Sequence, residues 1–120
     1  MVRKGFRMSV HAGHQAEYEK RHQPIWPELE RTLVLHGVRT YSTFLDRATN
    51  DLFAYVKFES EEQWAAIAAT DVCQRWWRHM RELMPSNSDS SPVALELREV
   101  FHIEADGTSD DATAKTQPKN

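Results

Sequence analysis

The spacing of apolar positions along this 120-residue chain changes several times, and each change predicts a different element. The first strand is predicted from Val2 to Val10, because apolar side chains alternate there with polar ones, although Lys4 interrupts the alternation. Its apolar positions are Val2, Phe6, Met8 and Val10. Two more strands are predicted from Val38 to Asp46 and from Leu52 to Glu59, joined by a polar link with the composition of a hairpin turn. A last strand is predicted where apolar side chains recur at every second position, with Glu99 as the exception. Its apolar positions are Leu95, Leu97, Phe101 and Ile103.

The segment 13–36 has the composition of a helix that is interrupted once. Gly37 supplies a C-terminal cap for it. Pro24 and Pro27 lie inside the segment, and proline removes a backbone donor and disfavours helical geometry in the residue before it. We therefore expect two helical pieces with a bend or irregular turn around Gln23–Trp26.

A second helical region follows the two middle strands. The sequence Ser60-Glu61-Glu62-Gln63 matches a capping box, which satisfies free backbone donors in the first turn of a helix. The sequence Asp71-Val72-Cys73-Gln74 repeats that pattern, so the helix is expected to break and restart near Thr70. It is expected to end by Met84-Pro85.

The predicted element order is β-α-β-β-α-β, which is the ferredoxin-like α+β plan. In that plan both helices cover one face of an antiparallel four-stranded sheet. The other face needs a cover, and a chain of this length has no element left to provide it. We therefore expect a domain over residues 1–103 that forms a homodimer, packed sheet against sheet.

Residues 104–120 are expected to form a disordered polar tail, because they hold almost no large apolar side chain and cannot offset their ordering entropy. The tail contains four acidic residues and two lysines, which leaves 14 acidic and 13 basic residues in the rest of the chain. A body so close to neutral has no basic stripe for phosphate contacts. We therefore expect no nucleic-acid partner.

Other function classes are also disfavoured by the sequence. No run of about 18 apolar residues is present, so we expect no membrane-spanning segment. No apolar segment follows the basic start of the chain, which argues against a secretory signal. Cys73 is the single cysteine, which excludes an internal disulfide and a cysteine-rich metal site. We expect a cytoplasmic protein that needs neither a metal nor another cofactor.

Five polar or aromatic side chains are candidates for a functional site. Tyr18 and His22 are four residues apart, so they share one face of a continuous helix. Tyr41 lies in the middle of a predicted strand. Trp76 and Trp77 lie on the second helix, where neighbouring side chains point about 100° apart. Because both helices cover one sheet face, all five can line one cleft.

Strict alternation along the strand places Tyr41 on the same face as three other side chains, namely Arg39, Thr43 and Leu45. Taken singly, each of the five candidates is more readily explained by packing than by function. For the adjacent tryptophans, two core rings are the first expectation, although one ring can sit in the core while the other edges a pocket. A flat ring with an indole N–H also suits a sugar, which offers apolar C–H faces and a rim of hydroxyls.

The stretch from Tyr18 to Leu29 resembles the first helix of the L-rhamnose mutarotases. Tyr41 and the run from Thr70 to Trp77, with its trailing Met84-Pro85, resemble the same family. The resemblance covers residues 1 to about 103 and implies a dimeric ferredoxin-like fold, that is, a dimeric α+β barrel. It also implies interconversion of the α and β anomers of L-rhamnopyranose, with His22 as proton donor. The sugar-contacting positions that it implies are Tyr18, Tyr41, Trp76 and Trp77.

Mutarotation opens the ring hemiacetal to an aldehyde, rotates about C1–C2 and recloses on the other face. We expect His22 to supply the proton to the ring oxygen as general acid. Tyr18, Tyr41 or a held water are the candidates for the base. The tryptophans are expected to stack on the sugar and to shelter its C6 methyl.

Two other functions are compatible with the same fold. A cofactor-free monooxygenase would bind a flat, oxidisable substrate and consume oxygen. A non-catalytic sugar-binding module would bind L-rhamnose without accelerating the exchange of its anomers.

Overall fold

A computed structural model describes residues 1–105 of the chain. Its elements are β1 Val2–Ser9, α1 Gln15–Arg21, α2 Pro27–Leu35, β2 Val38–Asp46, β3 Asp51–Phe58, α3 Glu61–Ile67, α4 Asp71–Met80 and β4 Leu95–Leu97. The four strands form one antiparallel sheet in the order β2-β3-β1-β4. The predicted ferredoxin-like α+β fold is therefore confirmed. The predicted tail lies outside the described residues from residue 106 onward.

The predicted interruption of the first helix is present. Helix α1 ends at Arg21, and α2 begins at Pro27, whose fixed backbone angle suits the first position of a helix. Gly37 follows α2 with a φ of +89°, a conformation that strains residues with a side chain. The two prolines and this glycine thus set the length and direction of α2.

Ser60 caps α3 as its sequence predicted, and the predicted restart near Thr70 is present, although the cap of α4 is Thr70 and not Asp71, where the repeated pattern starts. Each hydroxyl accepts a hydrogen bond from the backbone N–H three residues later, and so satisfies a donor that the first turn leaves free. Helix α4 ends at Met80 and one turn of 3-10 helix spans Arg81–Leu83. The predicted stop by Met84-Pro85 is therefore confirmed.

The last strand is much shorter than predicted. Strand β4 pairs only with residues 5–7 of β1, and residues 98–105 continue outside the sheet. The apolar side chains that suggested a longer strand do not pack on this chain, since Phe101 is 77% exposed and Ile103 is 78% exposed. Alternating apolar side chains mark an apolar side of an extended segment, but they do not show that the segment has a strand partner.

Strand β2 also departs from strict alternation. A bulge shifts its register on β3 between Val38 and Thr40, so that Val38 shares the helix-facing side with Tyr41. The expectation that Arg39 shares that side was wrong, because Arg39 falls at the bulge and forms an ion pair with Glu59. The expected neighbours beyond the bulge are correct.

Lys4, which interrupted the first alternation, faces the helices because it pairs with Val56 of β3. Its ammonium group lies 3.3 Å from a carboxylate oxygen of Glu61 and 3.4 Å from one of Glu96. A partly buried lysine on the core side of a sheet needs such partners. The interruption in the pattern therefore marks an ion-paired position that links β1 to α3 and β4.

The helices cover one face of the sheet, where the core forms two groups. The first cluster comprises Met8, Val10, Tyr18, Leu52, Ala54, Met80, Leu83 and Met84. The second cluster comprises Val38, Val56, Phe58, Ile67 and Cys73. Phe6 packs against both of them. Within residues 1–105, no helix has the length and apolar character required to cross a membrane.

The two glycines with positive φ provide a matched test of the packing after α2. A Cβ atom on Gly37 would lie 2.9 Å from Gln63 Oε1 and 3.1 Å from Glu59 Cβ, whereas one on Gly13 would meet nothing within 4 Å. Both alanine variants carry the left-handed strain of about 1–2 kcal/mol. We expect Gly37→Ala to lose roughly 1 kcal/mol more of unfolding free energy, measured by urea denaturation. Equal losses in the two variants would contradict this account.

Candidate active site

An open cavity of about 1110 Å³ lies between the helices and the sheet, and it takes in the space between the two core clusters. This volume is slightly above the range of about 300–1,000 Å³ that is usual for small-molecule sites. The structure brings all five candidate residues to its lining, namely Tyr18, His22, Tyr41, Trp76 and Trp77.

His22 lies at the C-terminal end of α1, where its ring is fixed from two directions. Nδ1 lies 2.9 Å from the backbone oxygen of Tyr18, and a carbonyl oxygen only accepts, so Nδ1 carries the hydrogen and donates. The imidazole also stacks on the Tyr18 ring, with 4.3 Å between the ring centroids and 28° between the planes. Nε2 is left as the nitrogen that can exchange a proton with a ligand.

Burial lowers the pKa of His22 below its usual value, and the hydrogen bond to the Tyr18 carbonyl offsets only part of that effect. The imidazole is therefore mostly neutral at pH 7. Because the hydrogen sits on Nδ1, the neutral ring presents a lone pair at Nε2. In its resting form His22 accepts a hydrogen bond from a ligand at this atom.

The two tyrosines keep their protons at neutral pH. Burial raises the pKa of Tyr18 to about 12. Burial also raises the pKa of Tyr41, and the proximity of Tyr18 raises it further. Tyr41 is 42% exposed and lines an open cavity, so solvent that enters the cavity weakens the effect of burial on its pKa. Since a base must be deprotonated, both phenols are suited to donate hydrogen bonds rather than to accept a proton.

The adjacent tryptophans diverge as helix geometry requires. Trp76 packs against the first core cluster and meets His22 edge-on, with 5.3 Å between ring centroids and 88° between planes. Trp77 packs against the second core cluster. Both rings also line the cavity, so each is partly buried against the core and still forms part of the cavity wall.

Two further aromatic residues position Tyr41 and were missed from the sequence. Phe6 meets the Tyr41 ring edge-on at 6.4 Å, and Trp64 lies 6.1 Å from it. Trp64 is itself stacked on Phe58 at 4.9 Å. Phe6 lay on the predicted apolar face of β1, so the sequence held a signal for it. The contact of Trp64 depends on how α3 crosses the sheet, which the sequence pattern does not specify.

Arg21 joins the end of α1 to the end of α4 and was missed from the sequence. Its guanidinium donates to Glu17 at 2.8 Å, four residues earlier on the same helix. It also donates to Glu82 and to the backbone oxygen of His79, both at 2.6 Å. Because Arg21 directly precedes His22, these bonds hold the imidazole at a set distance from α4.

Comparison with known proteins identifies the family of the chain. The family model for L-rhamnose mutarotase matches residues 3–103. An L-rhamnose mutarotase from Opitutus terrae is 60% identical over 104 residues, which is 87% of this chain and 100% of that relative. One from Citrobacter koseri is 58% identical over 103 residues, covering 86% of this chain and 99% of the relative.

Solved structures separate the family from the wider fold. The crystal structure of an L-rhamnose mutarotase from Formosa agariphila matches with a TM-score of 0.79 and 38% identity, covering 87% of this chain and 100% of that one. An antibiotic biosynthesis monooxygenase matches with a TM-score of 0.58 at 10% identity, covering 84% of this chain and 100% of that one. The second likeness shows the shared fold alone. The family match and the high identity over the same residues show that the chain belongs to the L-rhamnose mutarotase family.

Proposed function

We propose that the cavity binds L-rhamnopyranose and that His22 exchanges protons with it while its anomers interconvert. Membership of the family gives the reaction, so the chain is an isomerase. The observation that carries the site assignment is the meeting of one histidine, two tyrosines and two tryptophans around one cavity. We also propose residues 1–103 as the functional domain, since the family model ends at residue 103.

The walls of the cavity suit a 6-deoxy sugar. The Trp76 and Trp77 rings offer flat apolar surfaces for the C–H faces of the pyranose and for its C6 methyl. The Tyr18 and Tyr41 hydroxyls, which stay protonated, donate hydrogen bonds to sugar oxygens. An apolar wall with a few placed polar groups is the usual composition of a small-molecule site.

We assign the two proton transfers from the protonation states of the resting site. In ring opening, neutral His22 takes the proton of the anomeric hydroxyl at Nε2, the C1–O5 bond breaks and C1 becomes an aldehyde. The ring oxygen receives a proton from a tyrosine hydroxyl or from a water that it holds. After rotation about C1–C2, the steps reverse, and His22 donates its proton back to O1 on the other face.

This order of events differs from the sequence-based expectation in one respect. That expectation had His22 give the first proton to the ring oxygen, which requires the imidazolium form. Burial disfavours that form, and the Nδ1 hydrogen bond leaves the neutral ring with no hydrogen on Nε2. We therefore propose that His22 is the base of ring opening and the proton donor of ring closure.

The pH dependence of anomer exchange tests this order. Since protonation removes the Nε2 lone pair, we expect kcat/KM to be constant above a pH of about 6.5 and to fall as the pH drops through the lowered pKa of His22. Saturation-transfer NMR of L-rhamnose measures the rate, with the rate of enzyme-free buffer subtracted at each pH. A fall on the alkaline side instead would assign the first proton donation to His22.

A second histidine gives a matched control for the role of His22. His36 ends α2 as His22 ends α1, and its Nδ1 lies 2.8 Å from the Thr32 carbonyl four residues earlier, but it does not line the cavity. We expect His22→Gln to lower kcat by roughly 10²–10⁴-fold and His36→Gln to leave it unchanged, by the same NMR measurement. Equal effects would remove His22 from the proton transfer. A wild-type chain that binds L-rhamnose without exchanging its anomers would refute the proposed function.

We propose that the sheet face opposite the helices is covered by a second copy of the chain. Register places Phe44, Phe53, Arg7 and Leu95 in one row across all four strands. Three of these are apolar, and Phe44 and Leu95 are 64% and 53% exposed in the single chain. A row of exposed apolar side chains across a whole sheet is typical of an interface. A self-complementary sheet face gives a two-fold dimer.

The oligomeric state tests this surface. We expect the wild-type chain to elute as a dimer with light-scattering detection and Phe44→Glu to elute as a monomer, because the carboxylate would be buried without a partner. Leu35→Glu is the control, since Leu35 is exposed on α2 at the other side of the sheet. A monomeric wild type, or a dimer that Phe44→Glu leaves intact, would contradict the proposal.

A further inference from the structure

A second aromatic layer lies behind the cavity wall. Trp26, the residue before α2, meets Trp76 edge to face, with 5.1 Å between ring centroids and 84° between planes. His79 lies 5.2 Å from Trp26 and 5.6 Å from Trp76. Neither Trp26 nor His79 lines the cavity. A sugar held in the cavity therefore meets Trp76 but not the residues behind it.

Trp76 is thus held between two rings. His22 meets it edge-on at 5.3 Å, and Trp26 meets it edge-on at 5.1 Å. Edge-to-face contacts have a preferred geometry, so a rotation of the indole would disturb both of them. The orientation of Trp76 relative to His22 therefore depends on a contact that lies outside the cavity.

Trp26 is itself anchored to both neighbouring helices. The Arg75 guanidinium lies 5.9 Å from the centre of the Trp26 ring, within range of a cation–π contact. Arg75 also donates to Glu28 in the first turn of α2 at 3.0 Å and to Asp71 in the first turn of α4 at 2.7 Å. Pro27 restricts the backbone directly after Trp26. These bonds keep the ring fixed relative to both helices.

We propose that Trp26 is a positioning residue that sets the angle of the Trp76 indole against His22. The inference rests on the proposed function, since the alignment matters only if His22 transfers protons to a sugar in this cavity. Without the Trp26 ring, Trp76 turns towards the space left behind it and His22 loses its fixed neighbour. A displacement of about 1 Å between reacting groups can lower a rate by about 10²-fold.

The experiment compares Trp26→Ala with Trp26→Phe. We expect Trp26→Ala to lower kcat for anomer exchange by at least tenfold, with a smaller change in KM, because the residue does not touch the sugar. Trp26→Phe keeps an aromatic edge behind Trp76, so most of kcat should return. The Hε1 proton resonance of His22 should shift in Trp26→Ala, because the ring current of Trp76 at that proton depends on the indole orientation. In Trp26→Phe the resonance should return towards its wild-type position.

Val72→Ala controls for a general loss of stability. Val72 is buried on the same helix as Trp76 but does not line the cavity. It should lower the melting temperature while leaving kcat and the His22 resonance at their wild-type values. The inference is overturned if Trp26→Ala keeps both wild-type values, or if Val72→Ala reproduces both changes. If the wild-type chain does not exchange anomers, the proposed function fails instead, and the His22 resonance still decides whether Trp26 sets the geometry.

Discussion

The hydrogen bond from His22 Nδ1 to the Tyr18 carbonyl is the contact on which the proposed proton transfer in this site depends. It exists because α1 ends at Arg21, and the last carbonyls of a helix have no backbone partner. One such carbonyl fixes both the tautomer and the orientation of the imidazole. The interruption between α1 and α2, which two prolines favour, is therefore also what makes the histidine available to a ligand.

The cavity takes in the space between the two parts of the core. Trp76 packs with the first cluster and Trp77 with the second, so consecutive residues of one helix contribute to both sides of the space. Each ring is stabilised by core contacts and still presents a surface to the cavity. Packing and binding thus use different parts of the same side chains, which is why neither interpretation of the pair excludes the other.

Features that depend on a few neighbouring residues could be predicted from the sequence. The cap at Ser60, the restart near Thr70 and the break before Pro27 are of this kind. The placement of the five candidate residues around one cleft followed from the ferredoxin-like plan. Features that depend on distant partners could not be predicted. Strand β4 stops at Leu97, and the apolar side chains beyond it have no cover within residues 1–105. The contact of Trp26 with Trp76 depends on the angle between two helices.

Because side chains alternate along each strand, the sheet has two separate surfaces, one facing the helices and the cavity and one on the side without helices. Leu52 faces the cavity, while its neighbour Phe53 does not line it and faces the side without helices. A mutation at one position leaves the other surface nearly unaltered, because adjacent side chains of a strand point in opposite directions. The proposed sugar site and the proposed dimer surface can therefore change independently in this fold, although their residues alternate along the same strands.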